Sequence, residues 1–272
     1  MQILVTGGTG KLAQSMAQSM ASGDAPFEML RLSRRRDDPN CLYWDQAQSS
    51  IVPPLARTPD ALVHLAGATP VGDQAYDGTI PLAHATLALA QALGIKRMIV
   101  VSSIAVYGPP LARPFLEEDQ LNPAHPYGQS KRDLEHHMQR NHSAFGVKEI
   151  SILRLGNVIG ADQLGHLAKS ATAANPLQIA QFEDGSYAMR SYLNAALLCD
   201  VIAQLVSAGS MPSVFNVSTL TPIGMDVVAD KLGAPWIARD ATPQDVPLVA
   251  MDCAALGKFA ANRFDLSTKR LL

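Results

Sequence analysis

Short apolar runs alternate with longer helical patterns over the first 155 residues of the chain. The runs are rich in Val, Ile and Leu and are apolar on both faces, which is typical of strands buried in a parallel sheet. They are QILVT, FEMLRL, CLYW, ALVHLA, RMIVVSS and EISILRL. Between them, the spacing of apolar positions predicts helices over Lys11–Ser22, Thr79–Leu93 and Pro126–Asn141. This alternation predicts an α/β fold built on a doubly wound parallel sheet.

The pattern weakens after Gly156. There it predicts helices over Gln163–Ala174 and Ala195–Ser207, and short strands in PLQIA and SVFNVS. We therefore expect one domain over residues 1–160 and, over residues 161–272, a small C-terminal lobe that is interwoven with it and not independent.

The composition narrows the class of protein. With 47% hydrophobic and 17% charged residues, the chain is not expected to be disordered. A net charge of -2 argues against nucleic acid as the main partner. The three cysteines stand far apart, which predicts neither a disulfide framework nor a zinc site. Without a signal-peptide pattern or an apolar stretch of membrane-spanning length, we expect a cytoplasmic protein that does not bind membranes.

A glycine-rich segment, ILVTGGTGKLA, stands between the first predicted strand and the first predicted helix. Glycines at this point allow a tight turn and let the backbone approach a pyrophosphate, which then lies at the helix N-terminus. The alternative is that the glycines only make a turn, but their place between a strand and a helix favours a dinucleotide. The predicted cofactor contacts in this segment are Thr6, Gly7, Gly8, Thr9, Gly10, Lys11 and Leu12.

The residues at the end of the second predicted strand indicate whether the dinucleotide is NAD(H) or NADP(H). A site for NAD usually has a carboxylate there, about 20 residues beyond the glycines, to bind the ribose 2′-hydroxyl. The chain instead has Ser33, followed by Arg34 and Arg35, whose side chains suit a 2′-phosphate. We therefore favour NADP(H), with NAD(H) possible, and Arg34 as the better candidate of the two arginines. The alternative is that these arginines are solvated loop charges and Asp37 turns inward.

Two further strand ends carry small or hydroxylated side chains. Leu65, Ala66 and Gly67 follow the fourth strand and are predicted to let the cofactor lie close. Ser103 ends the fifth strand, where a serine either serves the reaction or simply caps a turn. His64 is expected to be a packed strand histidine without a role in proton transfer.

The segment HPYGQSK places Tyr127 and Lys131 one helical turn apart. Lys131 shares an inward stripe with Leu134 and Met138, whereas Glu135 falls away from the centre of that stripe. An inward lysine needs a partner, and its charge next to a phenol should lower the pKa of the tyrosine towards neutrality. The pair is therefore predicted to be catalytic, although a lysine whose stem lies along an apolar surface would be the ordinary alternative.

These motifs together resemble the extended short-chain dehydrogenase/reductases, and within them the NAD-dependent epimerase/dehydratase family that includes the UDP-glucose 4-epimerases. The resemblance covers the first 160 residues well and the rest thinly. It rests on TGGTGKLA, HLAG, VVSSIAVYG, YGQSK, LRLGNVIG and DGSYAMRSYL, which occur in the family's order.

The resemblance implies a Rossmann-type fold and a catalytic group of Ser103, Tyr127 and Lys131, with Lys131 also holding the cofactor ribose. Asp45 is also expected to contact the cofactor, and the resemblance assigns Asn157 and Arg190 to the substrate. It also implies a homodimer formed through the helices at 79–93 and 126–141. No metal is implied.

Two functional hypotheses follow from these residues. The first is an NAD(P)-dependent oxidoreductase or epimerase that acts on a sugar, a nucleotide sugar or a related carbonyl or alcohol compound, with hydride transfer and tyrosine acid–base chemistry. The second is a non-catalytic sensor or scaffold that binds NAD(P). The co-occurrence of Ser103, Tyr127 and Lys131 favours the enzyme, because a sensor has no need of all three.

Overall fold

The computed structural model describes residues 1–23, 25–48, 53–67, 76–260 and 264–271. In chain order its strands are β1 (Gln2–Thr6), β2 (Glu28–Ser33), β3 (Leu42–Tyr43), β4 (Ala61–His64), β5 (Arg97–Ser103), β6 (Glu149–Leu155), β7 (Asn157–Val158), β8 (Leu177–Gln181), β9 (Met189–Arg190), β10 (Tyr192–Leu193), β11 (Val214–Val217), β12 (Ile223–Gly224), β13 (Trp236–Asp240) and β14 (Leu248–Val249). Its α-helices are α1 (Lys11–Ala21), α2 (Thr79–Leu93), α3 (Pro126–Asn141), α4 (Gln163–Ala168), α5 (Ala195–Ser207), α6 (Met225–Lys231) and α7 (Ala254–Ala260).

A seven-stranded sheet forms the centre of the molecule, in the order β11-β6-β5-β4-β1-β2-β3. Each neighbouring pair in it is parallel. Helices α1 and α5 pack together on one face and α2 and α3 on the other. The predicted Rossmann-type α/β fold is therefore confirmed, and the carboxyl ends of β1, β4, β5 and β6 meet at one edge.

Most predicted elements lie within about one residue of their observed bounds. The predictions for β1, β5, β6, α2, α3 and α5 match the structure at both ends. Glycine ends α2, since Gly94 adopts a left-handed conformation and its N–H caps the carbonyls of Ala90 and Gln91. The helix predicted over Gln163–Ala174 is wrong in length, because it ends at Ala168 and the chain then forms a small turn in which Thr172 and Asn175 pair.

The C-terminal part forms a lobe and also completes the sheet. Three small sheets, β10-β7, β12-β9-β14 and β13-β8, surround an apolar cluster that includes Leu177, Ile179 and Val228. The chain enters this lobe after β6 and returns to the centre through α5 and β11, where Val214–Val217 pairs with β6. The domain boundary at residue 160 stays a prediction.

Within the described ranges, none of the helices is long and apolar enough to cross a membrane. The predicted location in the cytoplasm and the predicted dimer through α2 and α3 stay predictions.

Candidate active site

The glycine-rich turn has the backbone geometry that its sequence predicts. Gly7 lies at φ 73°, a conformation that side chains disfavour, and the N–H of Gly10 donates to its carbonyl at 2.9 Å. A Cβ added to Gly8 would lie 2.9 Å from the carbonyl oxygen of Leu32, so only glycine allows the turn to lie this close to β2. Helix α1 begins at Lys11 without a side-chain cap, which leaves its first N–H groups available to an anion.

A cavity of about 1010 Å³ begins at this turn and runs along the carboxyl ends of the strands. Its volume is at the upper end of the range for ligand pockets. Its lining includes Gly7, Gly10 and Lys11 from the turn, and also Ser103, Tyr127 and Asn157. Its walls include these predicted cofactor contacts: Gly7, Thr9, Gly10, Lys11, Leu12, Ser33, Arg34, Leu65, Ala66, Gly67 and Lys131.

Four predicted cofactor contacts are not among the described residues that line the cavity. The hydroxyl of Thr6 accepts from the N–H of Ala66 at 3.3 Å. Arg35 forms an ion pair with Asp37, and Asp45 accepts from the N–H of Ala47 at 3.0 Å. Gly8 is the fourth, and its part is the close packing of the turn against β2. For these positions the structure shows a supporting contact, and their direct contact with a cofactor stays a prediction.

The two residues predicted to choose the cofactor stand at the cavity wall. The hydroxyl of Ser33, which is buried, accepts from the N–H of Arg35 at 2.9 Å. Arg34 is exposed and forms no hydrogen bond or ion pair with any residue that the structure describes. Its neighbour Arg36 instead lies over the ring of Tyr43, at 3.7 Å. Arg34 is therefore the arginine of this segment that has no partner in the described chain and lines the cavity.

Ser103 and Tyr127 are brought together by close packing between the loop after β5 and the start of α3. Helix α3 begins at Pro126, and the Nδ1 atom of His125 accepts from the N–H of Tyr127 at 3.2 Å. A Cβ on Gly128 would collide with the carbonyl oxygen of Ala105, so glycine allows the helix to lie against this loop. Burial raises the pKa of Tyr127, and a hydrogen bond to Ser103 acts in the opposite direction.

Lys131 is only 7% exposed, on the inward face that the sequence predicts. Its Nζ donates to the carbonyl of Val101 at 3.2 Å and lies 6.0 Å from the centre of the Tyr127 ring. Burial lowers the pKa of Lys131 to about 8. The expectation that Lys131 lowers the pKa of Tyr127 is wrong for this arrangement, because the lysine is held by a carbonyl and burial of the phenol dominates.

A buried ion pair lies beside these residues, and the sequence reasoning missed it. Glu135, expected to fall away from the inward stripe, is 1% exposed, so that expectation is wrong. It accepts from Arg154 of β6 at 2.9 Å and from the hydroxyl of Ser102 at 2.5 Å. The hydroxyl of Tyr107 accepts a further hydrogen bond from Arg154 at 3.0 Å. The available signal was the arginine in an otherwise apolar strand, ISILRL, because such a charge needs a buried partner.

His64 is packed in the core, and the described residues form no metal site. His64 is buried, with its Nδ1 3.0 Å from the hydroxyl of Thr86, and burial lowers its pKa to about 3. The prediction of a packed strand histidine is confirmed. Across the part of the chain that the structure describes, no three His, Cys, Asp or Glu side chains come together as metal ligands.

The two predicted substrate contacts are placed differently. Asn157 lines the cavity, as Ser103, Tyr127 and Lys131 do. Arg190 does not appear among the described lining residues, and its Nη1 donates to the carbonyls of Met189 at 2.8 Å and Val246 at 3.0 Å. The Arg190 guanidinium is thus held by backbone carbonyls, and its predicted contact with the substrate stays a prediction.

Comparison with known proteins identifies the family of the chain. A family profile described as the NAD dependent epimerase/dehydratase family matches residues 3–218. The chain belongs to this family. The predicted resemblance is confirmed over most of the chain length, including β11.

Curated relatives match over part of their length. A UDP-glucose 4-epimerase from Azospirillum brasilense is 27% identical over 190 residues, which are 65% of this chain and 54% of that protein. A UDP-glucose 4-epimerase from Lactobacillus helveticus is 27% identical over 206 residues, which are 69% of this chain and 62% of that protein. The matched region thus spans a little over half the length of these relatives.

Among solved structures, the UDP-glucose 4-epimerase from Brucella ovis in complex with NAD has a TM-score of 0.76 at 20% identity. The similarity covers 96% of this chain and 92% of that one. At this level of identity it shows the fold alone, which supports the sheet order and the position of the lobe.

Proposed function

We propose that the protein is a nicotinamide-dependent oxidoreductase or epimerase that acts on a sugar or a related hydroxylated carbonyl compound. The observation that carries the proposal is the meeting of Ser103, Tyr127 and Lys131 at one wall of a cavity that begins at the glycine-rich turn. The N-terminus of α1, which suits a pyrophosphate, and the phenol of Tyr127 thus border the same cavity.

The residues present fit a dinucleotide cofactor. The uncapped start of α1 suits its pyrophosphate, and Gly67, at φ 149°, leaves open space except for Lys131 Nζ at 3.7 Å from the position of an added Cβ. Lys131 would hold the ribose next to the reacting ring. When bound, a nicotinamide group accepts or returns a hydride.

In this proposal Tyr127 transfers a proton to or from the substrate oxygen, and Ser103 donates a hydrogen bond that fixes this oxygen. The side chain of Ser103 acts against burial on the pKa of Tyr127, which supports the two side chains as neighbours at the end of β5. Ile104 and Ala105 follow Ser103, whereas elimination of water would call for an additional acid–base pair at this point. Reduction, oxidation or epimerisation is thus favoured over dehydration.

Replacement of Tyr127 by phenylalanine tests this proposal. The variant should keep the wild-type Kd for the cofactor and lose on the order of a hundredfold or more in turnover, the contribution of a positioned acid–base group. Tyr187→Phe is the matched control, since Tyr187 packs on Trp236 in the lobe and is expected to leave turnover unchanged. Near-normal turnover in Tyr127→Phe would remove the assignment.

For the cofactor we propose a preference for NADP(H) over NAD(H). The support is Arg34, exposed at the cavity wall with no partner in the described chain, next to Ser33 where NAD sites have a carboxylate. The solved epimerase from Brucella ovis holds NAD, so the preference would be a departure based on this chain's own residues. Affinities for both cofactors decide it.

Arg34→Ala should weaken NADP binding by about tenfold or more and leave NAD binding nearly unchanged, because only the 2′-phosphate meets the guanidinium. Arg35→Ala is the matched control, since Arg35 is engaged with Asp37. Equal wild-type affinity for the two cofactors, or equal effects of the two substitutions, would show that NADP is not preferred through Arg34.

A non-catalytic sensor remains the second candidate, and one observation favours it. Burial raises the pKa of Tyr127, and Nζ of Lys131 donates to the carbonyl of Val101. Tight cofactor binding without turnover of any of a broad panel of sugars, sugar nucleotides and small ketones would support the sensor.

A further inference from the structure

A histidine stands directly before the start of α3, two positions ahead of Tyr127. His125 lines the same cavity as Ser103, Tyr127 and Lys131. It is also exposed, so it lies where this cavity opens to solvent. The proposed function uses the other three side chains and gives His125 no part in the reaction.

One hydrogen bond fixes where the proton of this imidazole lies. The side chain of His125 is the N-cap of α3, and its Nδ1 accepts from the backbone N–H of Tyr127 at 3.2 Å. A backbone N–H can only donate, so the nitrogen that accepts from it carries no proton. The ring is therefore neutral in this arrangement, with its proton on Nε2, because the bond made by one ring nitrogen sets the state of the other. Nε2 is thus a hydrogen-bond donor.

This donor is available to a ligand. The two nitrogens lie on opposite sides of the ring, so Nε2 points away from the helix backbone when Nδ1 is directed at it. With the residues that the structure describes, Nε2 forms no hydrogen bond, ion pair or ring contact. Capping needs a single acceptor, which serine, aspartate or asparagine supplies with a shorter side chain. The second nitrogen of His125 is therefore more than the cap requires.

The order of residues along α3 indicates which ligand the donor meets. Lys131 follows Tyr127 by one helical turn, about 6 Å along the axis, whereas His125 precedes Tyr127. In the proposed function Lys131 holds the cofactor ribose, so the cofactor lies on the Lys131 side of the phenol. The donor on His125 lies on the other side, where the part of the substrate beyond the reacting carbon has to be.

We propose that Nε2 of His125 donates to a second oxygen of the substrate, next to the oxygen that reacts at Tyr127. The site then selects hydroxyketones and diols over ketones and alcohols that have a single oxygen. Hydroxyl and carbonyl oxygens both accept such a hydrogen bond. This inference rests on the proposed function, since it names the residue that sets the substrate class of the same site.

Two ketones that differ only in the second oxygen, cyclohexanone and 2-hydroxycyclohexanone, test the proposal with protein loaded with reduced cofactor. The wild type should favour the hydroxyketone in kcat/KM. His125→Ser is the informative variant, because serine still caps α3 through its hydroxyl and has no second polar atom. We expect the ratio of the two kcat/KM values to fall about tenfold in the variant, the size of one lost hydrogen bond, through a higher KM for the hydroxyketone. Tm should stay at its wild-type value, since the cap is kept.

His136→Ser is the matched control, since His136 is exposed on the same helix and is not among the described residues that line the cavity. It should keep the wild-type ratio. An unchanged ratio in His125→Ser would show that His125 is only a cap, and this result, an equal fall in His136→Ser, or a wild type that does not favour the hydroxyketone would overturn the proposal.

Failure of the proposed function would show separately, as absence of hydride transfer with both ketones and with every sugar tested. Calorimetric titration of protein loaded with oxidised cofactor, with 2-hydroxycyclohexanone as the probe, then decides the role of His125 alone. A Kd about tenfold higher in His125→Ser than in the wild type would support the contact, and equal Kd values would overturn it.

Discussion

Replacement of Glu135 by glutamine should destabilise the protein strongly. The carboxylate of Glu135, 1% exposed, accepts from Arg154 and Ser102, and Arg154 is itself 5% exposed. Burial works to lower the pKa of Arg154, but the hydrogen bonds and charge of Glu135 outweigh it and leave the pKa raised. Glutamine keeps the shape of Glu135 and leaves the guanidinium charge buried without its counter-ion.

Breaking a buried pair on one side costs about 3 to 5 kcal/mol, because the remaining charge stays desolvated. For a chain of this size we expect a fall in Tm of roughly 10 °C. Urea unfolding followed by circular dichroism gives the free energy, and a thermal melt gives Tm. The measurement should use cofactor-free protein, so that ligand binding does not add to the stability.

The matched control is Asp133→Asn, two positions earlier on α3. Asp133 pairs with Arg132 at 3.0 Å, with side chains 51% and 35% exposed, and loss of such a surface pair costs about 1 kcal/mol or less. If Glu135→Gln costs no more than Asp133→Asn, the buried pair does not hold α3 to β6, and the reasoning fails.

Two more predictions concern the catalytic wall. Gly128→Ala should lower turnover by about a hundredfold and also weaken cofactor binding, because the added Cβ pushes α3, with Tyr127 and Lys131, away from Ala105. Gly209→Ala, where a Cβ meets nothing within 4 Å, should have no effect in the same assays. In the cofactor-free protein, the wild type should gain stability relative to Lys131→Met as pH rises from about 8 to 10.5, by up to about 3 kcal/mol. The reason is that the unfolded chain keeps the lysine proton in this pH window and the folded chain does not. If the difference in urea-unfolding free energy between the wild type and Lys131→Met stays constant across these pH values, the lowered pKa is refuted.

The strands and helices around the sheet could be predicted because the apolar positions in their sequences are the positions that are buried in the structure. β5 and β6 are apolar on both faces since helices cover both sides of the sheet. Gly94 ends α2, and Pro126 begins α3. The Gln163–Ala174 prediction ran too long because alanine and leucine favour a helix in isolation, whereas the lobe uses Thr172 and Asn175 for a turn.

The candidate site shows where sequence reasoning ends. Position along the chain could place Ser103, Tyr127 and Lys131 on one wall, because strand ends and one helical turn fix their backbones. It could not give the direction of a long side chain. The spacing does not show that Arg190 bonds to backbone carbonyls or that Arg35 pairs with Asp37. Burial raises the pKa of Tyr127, whereas a nearby Lys131 charge would lower it. The direction of the shift therefore depends on how buried the phenol is and how far it lies from Lys131, and the residue spacing gives neither quantity.

The most direct test of the central claim is the rate of hydride transfer within one turnover. Wild-type protein loaded with oxidised cofactor should be mixed with each sugar of a panel, and reduction of the nicotinamide followed by its absorbance as a function of pH. We expect a rate that rises with pH as Tyr127 loses its proton, and in Tyr127→Phe a fall on the order of a hundredfold with that rise abolished. The same rate and the same pH profile in the variant would contradict the assignment of Tyr127 as the acid–base group.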